Sequence, residues 1–297
     1  MRPAHARTRT HCQNCTAALT GPYCSRCGQL DVDYNRSFGH VLEDALEGFL
    51  HFDGKFLRSA RYVFTRPGYL TNEFVAGRRV RYANPVRFYV FASFLFFAVH
   101  ALTNHLYARR ASAPASPAPA AAPAPAGGSH VVFRAMQPND PSWVEGPLRI
   151  QTDPGDTVTA PELEGEIWHL LPEALFVCVP LFALILKLAY RRSRRLYVEH
   201  LVFALHVQGL AFLGLIGLEI LGYASSRFGP RFEDKVGLAV LLGIAALVFR
   251  AFRAVYGESR RRTVARMAAV GLAYGLVLLG VLIAVGLLSI QLMSPRA

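Results

Sequence analysis

Four cysteines stand as two Cys-x-x-Cys pairs, Cys12/Cys15 and Cys24/Cys27, with eight residues between them in the segment CQNCTAALTGPYCSRCGQ. Each pair can turn two thiolates toward one ion, and four thiolates complete the tetrahedron that zinc prefers. Gly28 after the second pair permits the tight backbone turn such a site needs. So short a spacer cannot build a hydrophobic core, so the metal must supply the folding energy. The expectation is a closed, structural zinc ribbon with one Zn2+ per chain; a redox dithiol pair is the rival reading. His11 beside Cys12 is a substitute ligand that four thiolates leave without a task. Cys178 lies alone in an apolar run and reads as a small buried hydrophobe rather than a reactive thiol.

Ionisable residues inside apolar stretches are the second kind of candidate, because lipid makes them expensive. In VEHLVFALHVQ, Glu199 and His206 are seven residues apart, two helical turns along one face, with His200 and Gln208 nearby. Interhelical hydrogen bonding and a proton or metal site are the competing roles. A weaker set lies toward the other ends of the apolar stretches: His100, His105, His169, Glu173 and Glu219. Imidazole and carboxylate together suit metal binding or proton relay. His100 and His105, however, are five residues apart and poorly aligned on a helix face, which favours independent hydrated residues.

The elements that must position these residues are membrane spans. The 297 residues are 53% hydrophobic and carry 32 Lys and Arg against 20 Asp and Glu. That is too apolar for an ordinary basic nucleic-acid binder. Five stretches approach or exceed the roughly 20 residues that cross a bilayer: Val86 to Tyr107, Ile167 to Tyr190, Val198 to Ala224, Val236 to Tyr256 and Val264 to Met293. The fourth is the weakest, interrupted by Arg250 and Arg253, whose long side chains can snorkel. No apolar signal core precedes the first span, which is therefore expected to act as an uncleaved anchor. Assigning alternate sides puts 24 of the 32 basic residues on the side of the cysteines. The positive-inside rule then sets the N-terminus in the cytoplasm and the C-terminus outside. Reduced cysteines demand the same side.

Between the ribbon and the first span, apolar residues recur at helical spacing from Phe38 to Phe64, with one offset near Asp53-Gly54. This predicts helical segments that either pack on one another or on the bundle, or lie at the inner leaflet, stopping at Arg66-Pro67-Gly68. In GRRVRYANPVRFY, four arginines interleave with tyrosines at the membrane edge, so anionic lipid headgroups suit them better than nucleic acid. Residues 108–166 form an outer loop that opens with the Ala/Pro tract ASAPASPAPAAAPAPA, an extended spacer, and includes one strand-like run, HVVFRAM.

The blocks YCSRCGQ, PGYL…GRRVRYANPVRFYVFASFLFF and EHLVFALH together resemble a bacterial membrane family known as domain of unknown function 3667. The resemblance implies a zinc ribbon and an integral membrane location, and brings no activity with it. The fold expected is a mainly α membrane bundle of about five spans. It carries a zinc ribbon over residues 1–30, a helical and basic juxtamembrane segment over 31–85, a first span over 86–107, the loop over 108–166 and the remaining spans over 167–297. The function expected is that of a non-enzymatic protein of the bacterial cytoplasmic membrane, in contact with lipid and docking a cytoplasmic partner or membrane surface. The alternatives are a small transporter or channel using the intramembrane Glu and His residues, and a membrane enzyme acting on lipid or envelope precursors. The sequence holds no nucleophile elbow, phosphate-binding glycine loop or H-E-x-x-H motif, which weighs against the enzyme.

Overall fold

A computed structural model describes residues 9–31, 54–111, 150–153, 156–158 and 160–293. The expected helical stretch before Gly54 and the HVVFRAM run lie outside these residues. In chain order the elements are α1 (Gly54–Thr65), α2 (Tyr69–Val75), α3 (Pro85–Ala111), β1 (Ile150–Asp153), β2 (Asp156–Val158), α4 (Ala160–Ala189), α5 (Tyr197–Ser225), α6 (Pro230–Tyr256) and α7 (Arg260–Met293). The fold is mainly α, as expected. The antiparallel pair β1–β2 adds to that expectation; strands of four and three residues are too short to betray themselves by alternation.

Five helical stretches are long and apolar enough to cross a membrane: Pro85–Arg110, Leu170–Ala189, Tyr197–Phe228, Pro230–Tyr256 and Arg260–Ser289. The weakest expected span is among them, and its Arg250 and Arg253 sit exposed in the last two turns of α6. The chain divides into two units, Met1–Thr103 with Pro172–Val281, and Asn104–Leu171 with Leu282–Ala297. The β1–β2 pair, His105 and His169 belong to the second; the cysteine cluster and the other candidate residues below belong to the first.

The core of the first unit surrounds α5. Apolar residues lie on every side of this helix, and 61% of its most apolar stretch is buried, against 11 to 28% for the other four. Val202, Phe203 and Ala204 have no exposed surface. The peripheral helices bury one side and turn leucines outward, as Leu272, Leu276 and Leu279 do at helical spacing on α7. Those faces suit lipid, which is as apolar as leucine itself.

Close approach to α5 is made at glycine. A Cβ added at Gly209 would stand 2.6 Å from the Phe88 ring of α3, and one at Gly214 would stand 2.6 Å from Ile244 of α6. Small residues admit neighbours in this way where no hydrophobic force drives spans together. Gly209→Ala is therefore expected to destabilise the folded protein by about 1–3 kcal/mol through overpacking. Gly217→Ala, with nothing within 4 Å of the added carbon, should leave thermal unfolding in detergent unchanged or slightly raised.

The membrane-edge helices pack on this bundle. α1 ends at Thr65, before Pro67 and a Gly68 with φ of 84°. Its Phe56 ring meets Phe88 at 5.4 Å and Phe91 at 4.4 Å, with Val63 buried on the same side. The described part of this amphipathic segment thus packs on the bundle.

Candidate metal centre

The two cysteine pairs fold as two copies of one turn, related by a shift of 12 residues. Cys12 N–H donates to Ala17 O and Cys24 N–H to Gln29 O; Thr16 N–H returns to Cys12 O and Gly28 N–H to Cys24 O, all at 2.8–2.9 Å. The residue after each pair is left-handed, Thr16 with φ of 60° and Gly28 with φ of 72°. Isolated bridges His11–Ala18 and Tyr23–Leu30 close the two turns at matching positions. His11 thus serves the backbone turn, and its ring lies 3.0 Å from the Thr10 hydroxyl.

The turns face their thiols toward one another. Cys12 Sγ lies 3.6 Å from Cys27 Sγ and Cys15 Sγ 3.4 Å from Cys24 Sγ, and all four sulfurs fall within 4.8 Å. A tetrahedral ion with bonds of about 2.3 Å sets its sulfurs roughly 3.8 Å apart. The cluster therefore fits a metal ion. Its electrostatics agree. Backbone N–H groups, that of Cys27 first, outweigh burial and hold the Cys24 thiol down at about 6. At Cys15 a backbone bond involving Ala17 lowers the pKa, but burial and the facing thiols outweigh it and push it up to about 12. Four thiols this close cannot all ionise unless a cation joins them.

The ribbon is fixed to the segment before α3. Gln29 Nε2 donates to Gly77 O at 2.8 Å, and Arg79 N–H donates to Gln29 Oε1 at 3.4 Å. Gln13 lies so close over Gly77 that a Cβ there would collide with it, and Gly77 has φ of 82°. Below this contact Arg78 grips Glu73 with two hydrogen bonds, at 2.8 and 2.5 Å, and that carboxylate raises the arginine's pKa. Arg79 donates to Phe74 O at 3.1 Å and covers the Phe74 ring at 4.6 Å. Gln29→Ala should cost about 1–3 kcal/mol of docking while leaving the four thiols in place. Proteolysis should then cut residues 30–54 faster with metal content unchanged.

The other candidates disperse or pair off. Glu199, His200 and His206 do not converge on one site. Glu199 sits at the start of α5, accepting from Arg195 Nη1 at 2.8 Å and from Leu196 N–H at 3.4 Å, where the helix dipole favours a carboxylate. Arg195 also donates to Val255 O at 2.6 Å, tying α5 to the end of α6. His200 Nδ1 lies 2.9 Å from the Tyr256 hydroxyl, and Tyr256 stacks on Tyr190 at 3.7 Å. His206 is buried, with Nδ1 3.0 Å from the Thr71 hydroxyl of α2. Gln208 donates to Tyr274 at 3.1 Å.

Of the outer set, His100 and Glu219 meet. His100 Nδ1 is 2.9 Å from Glu219 Oε1, and Thr103 donates to Glu219 Oε2 at 2.9 Å, joining α3 to α5. Glu173 and His105 are exposed, and the His169 side chain lies outside the described residues. Cys178 is fully buried. Thr71, Thr103 and Tyr256 escaped the sequence reading, because a hydroxyl in an apolar run carries no signal until its partner is known.

Residues 53–97 match the family described as Protein of unknown function (DUF3667), so the family resemblance holds over α1, α2, the docking segment and the first half of α3. The ribbon and the EHLVFALH block lie outside that match. No curated protein and no solved structure matches the chain.

Proposed function

We propose that the chain is a non-enzymatic protein of the bacterial cytoplasmic membrane. In this reading a zinc-bound ribbon on the cytoplasmic face is a fixed docking head for a cytoplasmic protein or the membrane surface. The observation that carries the reading is the attachment of the ribbon through Gln29 to Gly77 and Arg79, a few residues before a span. A freely tethered ribbon would pay an ordering cost on binding that a fixed one avoids. Tyr23, 61% exposed on the ribbon, offers the kind of aromatic that anchors interfaces. Zinc follows from a four-thiolate donor set, and the cytoplasmic side from reduced thiols together with the basic asymmetry. The transporter reading draws on His100–Glu219 and His206–Thr71, but each of these polar groups already spends itself on joining two elements, the role of a structural contact.

Two measurements test the proposal. Cysteines introduced by Ser112→Cys and Ser259→Cys should be labelled from opposite sides of intact cells, Ser112→Cys from outside; equal labelling from outside contradicts the sidedness. Affinity capture from native membranes should recover a partner with the intact chain that is lost on Tyr23→Ala or on deletion of residues 1–30. Capture unchanged by either removes the docking role.

A further inference from the structure

A cavity of 310 Å³ opens where the ribbon, α1, α2 and the start of α3 meet, a volume within the usual range for small-molecule sites. Four cations line it, Lys55, Arg78, Arg79 and Arg87, and no carboxylate does so among the described residues. Arg78 is answered by Glu73. The Nε of Arg87 is buried and has no acceptor among the described residues. A buried, charged N–H donor without an acceptor is costly, and native structures seldom tolerate one unless something outside the chain satisfies it.

We infer that this cavity binds a phosphate-bearing anion, with Arg87, Arg79 and Lys55 as its cationic contacts. The planar guanidinium presents paired donors that match phosphate oxygens. Phosphate is preferred to a lone carboxylate because its oxygens point in several directions and can accept at once from donors on α1, on α3 and on the segment before α3. Arg87 is the third residue of α3, the depth at which lipid phosphates stand beside a span. Phe56, Leu70 and Phe74 make the remaining wall apolar, suited to a glycerol or acyl portion beyond the phosphate. The ribbon closes the cavity through Gly28, Gln29 and Leu30, so a ligand here would touch both the ribbon and the bundle. The inference stands whether or not the ribbon recruits a partner.

The test uses the full chain, purified with zinc in a neutral maltoside detergent, and measures binding of inorganic phosphate, glycerol 3-phosphate and dioctanoyl phosphatidylglycerol, with dioctanoylglycerol as the phosphate-free control. Saturable binding of at least one phosphate probe, absent for the control, is expected, and Arg87→Gln and Lys55→Gln should each weaken it about tenfold or more. Arg61→Gln, exposed on α1 away from the cavity, should not. Binding of the lipid alone identifies a headgroup as the source; equal binding of glycerol 3-phosphate identifies a soluble phosphate ester. Should Arg87→Gln fail to fold, Lys55→Gln and the charge-retaining Arg87→Lys carry the comparison. Two results overturn the inference: no saturable binding of any phosphate probe, or folded variants that bind as tightly as the parent.

Discussion

Replacing one thiolate, as in Cys24→Ser, is expected to take bound metal, zinc in the proposal above, from about one ion per chain to a small fraction of that and to unfold residues 9–31 as a unit. The two turns bury little besides Cys12 and Cys24 and share no apolar core, so nothing replaces the metal once a ligand is gone. Structural zinc sites of this size hold about 10–16 kcal/mol of binding free energy near neutral pH, and that energy is folding energy. Because the ligands must be thiolates, acidification should release the metal along the same path, with stability lost as pH falls. Elemental analysis of protein kept reduced, alongside Cys178→Ala as a control, measures the effect. Zinc content unaffected by Cys24→Ser would remove the metal from the account.

Gly68→Val is expected to be the most damaging single change outside the ribbon, lowering stability by more than about 3 kcal/mol and collapsing the yield of folded protein. Two costs combine. A β-branched residue held at φ of 84° pays about 1–3 kcal/mol in backbone strain. Its Cβ would also stand 2.9 Å from both the Ala251 carbonyl oxygen and the Ala254 Cβ, parts of α6 that cannot swing aside as a flexible side chain could. Gly257 separates the two costs. It has φ of 67° with nothing within 4 Å, so Gly257→Asn, a residue that tolerates the left-handed region, should fold nearly as well as the parent. Thermal unfolding of both variants in detergent makes the comparison; equal loss in the two would show that the contact of Gly68 with α6 contributes nothing.

What could be read in the sequence was what is local. Four cysteines at metal spacing and apolar runs of membrane length depend on near neighbours only, so the clustered thiols and the five spans were legible. At Glu199 and His206 periodicity gave the shared face and the inward placement of His206, but not their partners. Seven residues do place them on one face, yet Arg195, four residues before Glu199, holds that carboxylate at the end of the helix. His206 instead meets Thr71, which sits on a helix of seven residues with too few turns to show a pattern. His100 and Glu219 could be listed as candidates, but their pairing needs two helices to lie at the right depth, and only packing sets that. The role of Gly77 to Arg79 was hidden for another reason. Arginines before a span read as interfacial cations whatever else they touch, and the ribbon binds here through backbone groups, which every residue has. The twelve-residue repeat of the ribbon, by contrast, was readable in principle: each Cys-x-x-Cys is followed by one residue that must turn left-handed, and only the second copy marks it with glycine.

The central claim is that a metal-organised ribbon is held on the Gly77 to Arg79 segment at the membrane edge. Hydrogen exchange on the full chain in lipid nanodiscs, before and after chelation of the metal, tests it most directly. Residues 9–31 and the backbone of 77–79 are expected to lose protection together, in one step, while the spans keep theirs. Loss confined to 9–31, with 77–79 as protected without metal as with it, would show that the ribbon hangs free of the bundle and would contradict the claim.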